Sequence, residues 1–283
     1  MMLLCFLFIT NKSLSFFQMD WNLIFTLFWL LISAGILVPG LWLLIDGKSP
    51  LTLIDVILQR FYVFGKLKNE NPNKRRVLGD VPKSSFLHFY IFGLVINLLL
   101  FIIFRSAILL STLFLCHISR RLYECLYVHR FGSNSTMSVI HYLVGLVHYP
   151  FVGLTILVDY QYSDHRPSFF TIGLSVFLFI IASYVQYRVH LTLAKIPRNE
   201  NEIYPIPDGY WPFQYFSSPN YIAEIVLYIS FWLISHHTAS FLSLLIWVLI
   251  NQSLAALLTH RWYRRHYGKE YPSNRYALIP FLV

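Results

Sequence analysis

An amide and a carboxylate stand at the start of a long apolar stretch in this sequence. Asn220 and Glu224 are four residues apart, which places both side chains on one face of a helix. Residues 225–259 then contain no Asp, Glu, Lys or Arg. Ser217 or Ser218 could cap such a helix, so a carboxylate one turn further along has no evident structural task. We therefore interpret Asn220 and Glu224 as functional residues.

Other polar side chains gather at the ends of further apolar segments. Ionisable groups at a bilayer are costly and usually serve a function. Arg binds phosphate through a bidentate fork, aromatic rings stack on planar bases, and amides or carboxylates bind a carboxamide or a ribose. This mixture is typical of a site for a phosphorylated nucleotide, although no GxGxxG motif predicts a Rossmann fold. The residues concerned are His117, Arg120, Arg121, Glu124, Gln186, Arg188, His190, Arg198, His260, Arg261, Tyr263, Arg264, Arg265 and Arg275.

Each of these side chains also has a plainer interpretation. Basic residues such as Arg130 and Arg264 are placed where they can extend to lipid headgroups. Tyr and Trp at such positions usually form an interfacial aromatic belt. Glu124 has the spacing to pair with Arg120 or Arg121 along a helix. The nucleotide-site interpretation therefore requires that the polar groups converge between helices instead of lying on the outer surface.

Composition places these groups in a membrane protein. The 283 residues are 57% hydrophobic and 12% charged, with a mean hydropathy of +0.57, whereas a soluble domain has about 25% charged residues. The net charge of +9 does not indicate nucleic-acid binding, because the positive charges lie in loops between apolar spans. Cys5, Cys116 and Cys125 form no CxxC pair, so the sequence predicts neither a disulfide framework nor a zinc site.

The elements that position the polar groups are predicted to be membrane-spanning helices. Seven apolar runs approach the length of about 20 residues that a span needs. They are continuous, whereas the strands of a barrel alternate. We predict an all-α, polytopic membrane protein with about seven transmembrane helices. The runs are residues 21–45, 84–104, 106–128, 137–158, 168–190, 220–235 and 239–260.

The basic residues predict the orientation of the spans. Most of the 22 Lys and Arg residues lie in the loop 46–83, at the ends of the third and fifth spans, or in the C-terminal tail. Positive charge stays cytosolic, so we expect the polar groups and the C-terminus to face the cytosol. The sequon at Asn134 then falls on the cytosolic side, where it should stay unglycosylated. We interpret residues 1–20 as an N-terminal leader and 21–283 as one integral-membrane domain.

Several stretches of the sequence carry a resemblance to a known family. Over about residues 80–283 the sequence resembles the steroid 5α-reductase family, and the C-terminal region 117–283 carries most of the motifs. Within that family, SSPNY and QYRVH resemble the polyprenol reductase branch. The stretches are VPKSSFLHFY, CHISRRLYECLYVHRFG, HYLVGLVHYPFVGLT, QYRVHLTL, IPDGYWPFQYFSSPNYIAE, HRWY and the terminal YPSNRYALIPFLV.

The resemblance implies an enzyme of the endoplasmic reticulum membrane that uses NADPH. It implies reduction of the α-isoprene double bond of a polyprenyl lipid, polyprenol or polyprenal, on the route to dolichol for protein N-glycosylation. Asn220 and Glu224 match contacts on the nicotinamide side. It implies no metal and no obligate protein partner. The other cofactor-side positions are Arg121, Gln186, His190, Arg198, Tyr263 and Arg275, of which Gln186 and His190 stand where the steroid branch has Asn and Asp.

The catalytic pair of the steroid branch does not transfer to this sequence. That branch has a Glu in the second span and a Tyr directly after the His of the third. Here residues 84–104 contain no acid, and Ile118 follows His117. The candidate catalytic donors are therefore His88, Tyr90 and His117, with Tyr263 as a further proton donor. His88 has an ordinary interhelical hydrogen bond as its alternative.

The chemistry of the double bond constrains the substrate. Hydride adds poorly to an isolated alkene, because the alkene offers no electron sink. An α,β-unsaturated aldehyde does offer one, since charge develops on its oxygen, where a preorganised donor can stabilise it. A proton then reaches the α-carbon from a nearby acid or water. We hypothesise that the aldehyde is the species reduced.

Other functions remain as alternatives. Within the family they are a trans-2-enoyl-CoA reductase and a 3-oxo-5α-steroid 4-dehydrogenase. Outside it, a membrane S-adenosylmethionine methyltransferase can have a similar hairpin and tail. A di-iron hydroxylase would need HxxxH and HxxHH sets, which are missing despite His236 and His237. A transporter would place charges at the bilayer midplane, whereas these charges lie at one face.

Overall fold

Seven α-helices form the described part of the protein. The computed structural model describes residues 19–45, 80–131, 135–196 and 205–278. The helices coincide with the seven predicted apolar runs, so the prediction of an all-α polytopic membrane protein is confirmed. Five of them, α1, α2, α4, α5 and α7, are long and apolar enough to cross a membrane. The helices are α1 (Trp21–Ile45), α2 (Phe86–Phe104), α3 (Ile108–Tyr127), α4 (Val139–Tyr162), α5 (Phe169–Lys195), α6 (Pro219–Ile234) and α7 (Ala239–Tyr267).

Some sequence predictions fall on other parts of the chain. The leader, residues 46–79 of the long basic loop, the sequon residue Asn134 and the candidate Arg198 lie outside the described residues. The division into a leader and one membrane domain therefore stays a prediction.

Helix ends differ from the predicted spans mainly at one end of the bundle. Helix α5 continues to Lys195 and α7 to Tyr267, beyond the predicted ends at residues 190 and 260. Hydropathy marks only the apolar part of a helix, whereas backbone hydrogen bonding continues through polar residues that suit water or a polar site. Helix α6 has only 16 residues, fewer than the roughly 20 that a perpendicular span needs.

The connections at the far end of the bundle are short and specifically bonded. Between α2 and α3, Arg105 and Ala107 adopt left-handed backbone conformations, with φ of 47° and 46°. Between α6 and α7, the backbone N–H groups of His236 and Thr238 donate to the Asp159 carboxylate of α4 at 2.7 and 3.0 Å. Asp159 thereby fixes the connection between α6 and α7 against α4.

A small sheet joins the starts of α2 and α4. Strand β1 (Asp80–Pro82) pairs antiparallel with β2 (Thr136–Ser138), with Val81 opposite Met137. Strand β1 lies at the end of the basic loop 46–83, and β2 begins at the last residue of the sequon, so residues 80–82 form a strand where the sequence predicted a loop. The strands are too short for hydropathy or periodicity to reveal them.

Helix packing brings α2, α3 and α4 close together. The amide of Asn97 on α2 donates to the carbonyl oxygen of Tyr149 on α4 at 3.0 Å. Gly153 permits this approach, because a Cβ there would lie 1.9 Å from the Asn97 side-chain oxygen. Small residues serve the same purpose at helix interfaces of other membrane proteins.

Candidate active site

Polar side chains converge between helices at one end of the bundle. At this end, which we call the polar end, α2 and α6 begin and α3, α5 and α7 end. Hydrogen bonds connect side chains of α2, α3, α5 and α6 here. The groups therefore lie inside the bundle, as the nucleotide-site interpretation requires.

Glu124 on α3 is the centre of the first polar cluster. It is fully buried and accepts hydrogen bonds from Arg120 and Arg121. Its Oε2 atom also lies 2.8 Å from Nδ1 of His190 on α5. Two guanidinium groups compensate the charge of this carboxylate, which burial would otherwise make very costly.

Arg121 points inward and does not extend to the lipid headgroups. Its Nη2 atom donates to the hydroxyl of Tyr90 on α2 at 2.9 Å, and its Cζ atom lies 5.3 Å from the centre of that ring. Its Nη1 atom lies 2.8 Å from Nδ1 of His190. Arg121 thus holds Tyr90, which is only 4% exposed, against the cluster.

Gln186 connects the two carboxylates of the cluster. Its amide nitrogen donates to Glu224 at 2.6 Å and to the backbone oxygen of Asn220 at 3.2 Å. Its side-chain oxygen accepts from Arg120, which also bonds Glu124. The amide therefore has a fixed orientation, and Glu224 is held from the side of α5.

His117 borders Glu224 from the side of α3. Its Nε2 atom lies 3.5 Å from the Glu224 carboxylate, and its Nδ1 atom lies 3.3 Å from Arg120. The imidazole is completely buried among the rings of Phe114, Phe231 and their neighbours. This environment excludes water from one side of Glu224.

A second cluster lies where the C-terminal segment crosses the polar end. The rings of Tyr263 and Tyr271 stack at 5.4 Å with an angle of 6°. The Tyr271 hydroxyl donates to Ser217 at 2.5 Å, and the Ser217 hydroxyl lies 2.6 Å from Nδ1 of His260. A backbone hydrogen bond from Ser217 to residue 276 holds the segment in place.

Arg275 in this second cluster has unsatisfied hydrogen-bond donors. The residue is 7% exposed and its guanidinium lies 5.7 Å from the centre of the Tyr271 ring. Its Nε and Nη1 atoms are buried and have no hydrogen-bond partner among the described residues. Buried charged donors normally have partners, so this arrangement suits an anion. Burial also raises the pKa of Tyr271, which keeps its hydroxyl a neutral donor.

Comparison with known proteins decides the family. The profile of the 3-oxo-5-alpha-steroid 4-dehydrogenase family matches residues 134–283. The chain belongs to the steroid 5α-reductase family. The polyprenal reductase of Homo sapiens is 32% identical, over 90% of this chain and 94% of the human protein. Those of Xenopus tropicalis and Saccharomyces cerevisiae are 33% and 34% identical, over 90% and 84% of this chain and 98% and 91% of their own lengths.

The polyprenal reductase relatives confirm the resemblance to the polyprenol reductase branch, and the family and these relatives together make the chain an oxidoreductase. The structure brings together most of the site residues that the sequence predicted. The first cluster contains Tyr90, His117, Arg121, Gln186, His190 and Glu224, with Asn220 at its edge, and the second contains Tyr263 and Arg275.

His88 lies apart from both clusters. It is exposed, and its Nδ1 atom lies 2.9 Å from the Tyr142 hydroxyl on α4. This contact is the interhelical hydrogen bond that the sequence offered as an alternative.

Sequence reasoning did not select several residues of the two clusters. Glu124 and Arg120 belonged to the set of polar residues at the helix ends, with a helix pair as the alternative, but neither of them was assigned a cofactor or catalytic role. Their contacts with His190 and Gln186 depend on how α3 meets α5. The contacts of Ser217 likewise depend on the path of the C-terminal segment. The RRxxE spacing was the one available signal, since it places both arginines on the carboxylate.

Glu124, His129 and His190 could also be considered as metal ligands. Their ligand atoms lie within 4.8 Å of one another. However, both oxygens of Glu124 accept from Arg120 and Arg121, and these two cations would repel a metal ion. Because the Glu124 carboxylate is already compensated in this way, we assign no metal to these three residues.

Proposed function

We propose that this chain is an NADPH-dependent reductase of the α-isoprene double bond of polyprenal, on the route to dolichol for protein N-glycosylation. The supporting observation is the hydrogen-bonded network of Tyr90, Arg121, Glu124, Gln186 and Glu224, which is enclosed between helices at the polar end. In this proposal the polar end and the C-terminus face the cytosol of the endoplasmic reticulum membrane.

The second cluster suits the phosphate end of a dinucleotide. Arg275 presents two buried guanidinium atoms without partners among the described residues, and guanidinium groups bind phosphate oxygens well. The stacked rings of Tyr263 and Tyr271 offer a flat surface nearby. Asn220 and Glu224 begin α6 only a few residues after Ser217, so the nicotinamide end would lie towards the first cluster.

The first cluster suits the reacting end of the cofactor. Glu224 is oriented by Gln186 and His117, so its carboxylate can accept hydrogen bonds from a carboxamide. Bound NADPH supplies a hydride to the β-carbon of the unsaturated aldehyde. The chain must orient that cofactor, stabilise the charge that develops on the aldehyde oxygen, exclude water and deliver a proton.

Tyr90 fits the task of stabilising the oxygen. Its hydroxyl accepts a hydrogen bond from Arg121 at 2.9 Å, which leaves its own proton for a second acceptor. A donor that is fixed before the reaction stabilises a developing oxyanion without reorganisation. Tyr90 thereby takes the place of the steroid-branch tyrosine that is replaced here by Ile118.

A cleft between α2, α3 and α4 suits part of the polyprenyl chain. It is lined by Leu100, Phe101, Phe114 and Leu115, among others. The cleft is narrow as it stands, so the helices would have to move apart where the lipid enters. Phe114 precedes His117 by one helical turn, so the cleft adjoins the first cluster.

Substrate assays test this proposal and its alternatives. Purified protein should oxidise NADPH in the presence of polyprenal and should form the α-saturated aldehyde. Polyprenol, a steroid enone and a trans-2-enoyl-CoA should give little turnover under the same conditions. Turnover of polyprenol equal to that of polyprenal, without an oxidising partner, would contradict the aldehyde hypothesis. Turnover of only the steroid or the thioester would assign another substrate.

A further inference from the structure

A tyrosine and a histidine pair inside the bundle, and neither belongs to the two clusters. The hydroxyl of Tyr228 on α6 lies 2.9 Å from Nε2 of His148 on α4. Tyr228 is only 1% exposed. Polar groups within membrane segments are costly and often functional, so this pair needs an explanation beyond packing.

Tyr228 lies on the same face of α6 as the proposed nicotinamide contacts. Asn220, Glu224 and Tyr228 follow one another at intervals of four residues, which corresponds to about 6 Å along the helix axis. Tyr228 is therefore one turn deeper in the bundle than Glu224. A substrate carbon next to a nicotinamide held by Glu224 would come close to this hydroxyl.

The surroundings of Tyr228 exclude water and contain other parts of the site. Its ring packs edge-on against His117 at 6.4 Å and against Phe231 at 5.5 Å. The His148 ring lies edge-on to Trp29 at 5.8 Å and to Tyr149 at 5.1 Å. The pair thus stands between the first cluster and the apolar interior.

The other nearby polar groups face charged side chains. The Tyr90 hydroxyl is held by Arg121. His117 has its Nδ1 atom 3.3 Å from Arg120, and its Nε2 atom, which makes no hydrogen bond among the described residues, lies 3.5 Å from the Glu224 carboxylate. Among the described residues, the hydrogen-bond partner of Tyr228 is the imidazole of His148. When Nε2 of that imidazole carries a proton and donates it to the Tyr228 oxygen, the phenol proton is directed elsewhere.

We propose that Tyr228 is the catalytic acid that protonates the α-carbon of the substrate, and that His148 is the positioning residue that orients its hydroxyl. This assignment rests on the proposed reductase function. It gives Tyr228 a task separate from that of Tyr90, which donates to the aldehyde oxygen.

The electrons and atoms of this step balance. A hydride adds to the β-carbon, and the electron pair of the C=C bond moves towards the carbonyl to give an enolate. The enolate returns to an aldehyde as its α-carbon takes the proton of the Tyr228 hydroxyl. The resulting phenolate accepts a hydrogen bond from His148 and regains a proton from solvent after the product has left and water can enter the site. The substrate gains one hydride and one proton, and NADPH becomes NADP⁺.

The variant Tyr228→Phe tests the assignment, because it removes only the hydroxyl. We expect the single-turnover rate of polyprenal reduction to fall about 100- to 10,000-fold, the usual contribution of a positioned acid. NADPH binding, measured by quenching of tryptophan fluorescence, should stay near the wild-type value. A loss of less than about tenfold would be well below the contribution of a positioned acid and would overturn the assignment.

His148 is tested by a graded pair of variants. His148→Gln retains a side-chain donor and should lose less activity than His148→Phe, with a changed pH profile of kcat but an unchanged KM for NADPH. Equal activity in both variants would contradict a positioning role. Tyr162→Phe is the matched control and should keep wild-type activity. Among the described residues, the Tyr162 hydroxyl bonds only backbone groups of Met19 and Trp21 near the start of α1, at the far end of the bundle.

Two further measurements separate the possible failures. Wild-type protein that does not reduce polyprenal with NADPH would remove the proposed function before any variant is made. If Tyr228→Phe does not fold, fluorotyrosine at position 228 keeps the shape of the side chain and makes the phenol more acidic. The single-turnover rate of polyprenal reduction should then differ from that of wild type, because a more acidic phenol gives up its proton more readily, and an unchanged rate would overturn the assignment.

Discussion

Gln186 on α5 donates a side-chain hydrogen bond to Glu224 on α6 at 2.6 Å. Because Arg120 on α3 donates to the other end of the same amide, three helices hold the carboxylate that opens the long apolar stretch. Glu224 is thus oriented by the fold itself, and neither snorkelling nor helix capping explains its position.

Removing the Gln186 amide should loosen this arrangement. Gln186→Leu leaves Glu224 and Arg120 each without one partner, and an unsatisfied buried polar group costs about 1–3 kcal/mol, more when it is charged. We expect a lower thermal unfolding midpoint in detergent and a higher KM for NADPH. Thr192→Val on the same helix is the control, since its hydroxyl bonds only its own helix backbone among the described residues. Equal behaviour of the two variants would argue against the Gln186 link.

Glu124 should matter for stability more than any other single charge in the first cluster. Glu124→Gln leaves Arg120 and Arg121 without their buried counter-charge, and breaking such a pair typically costs about 3–5 kcal/mol. The measurement is chemical or thermal unfolding of the purified protein, with Glu270→Gln as an exposed control. A variant as stable as wild type would show that the arginines find other partners.

His129 should make the protein less stable in mild acid. Its pKa is lowered to about 3 in the folded state by burial, whereas an unfolded histidine titrates near about 6.5. Between these values the unfolded state binds the extra proton, so stability falls as pH drops below about 6.5. Unfolding midpoints at pH 7 and pH 5 should differ less in His129→Gln than in wild type. An equal difference in the two proteins would contradict this origin.

Arg275 should contribute to cofactor affinity and little to the chemical step. Arg275→Gln removes the buried donors that lack partners among the described residues. Loss of one hydrogen bond to a charged group costs about 1.5–3 kcal/mol, so we expect the KM for NADPH to rise about tenfold or more. The single-turnover rate at saturating NADPH should change little. Lys269→Gln, in the exposed neighbouring turn, is the charge-matched control. An unchanged KM in Arg275→Gln would remove the phosphate assignment.

Much of the fold follows from local features of the sequence, whereas the site depends on contacts between distant segments. Continuous apolar runs identify the seven helices of the described residues, and four-residue spacing places Asn220 and Glu224 on one face of α6. Such local rules cannot show that Glu124 meets His190, because that contact depends on the packing of α3 against α5.

Tyr228 illustrates the same limit inside an apolar segment. Its hydroxyl is inconspicuous among the aromatic residues of α6, and only the approach of His148 from α4 makes it a polar pair. His88 is the opposite case, since an ionisable residue in a motif turned out to lie at the surface of the bundle beside Tyr142.

The central claim is that the polar end of the bundle binds NADPH, and its most direct test is cofactor binding by Glu224→Gln and Asn220→Ala. Both variants remove groups proposed to hold the nicotinamide, so both should bind NADPH more weakly and should reduce polyprenal more slowly than wild type. NADPH affinity and polyprenal reduction equal to wild type in both variants would contradict the account.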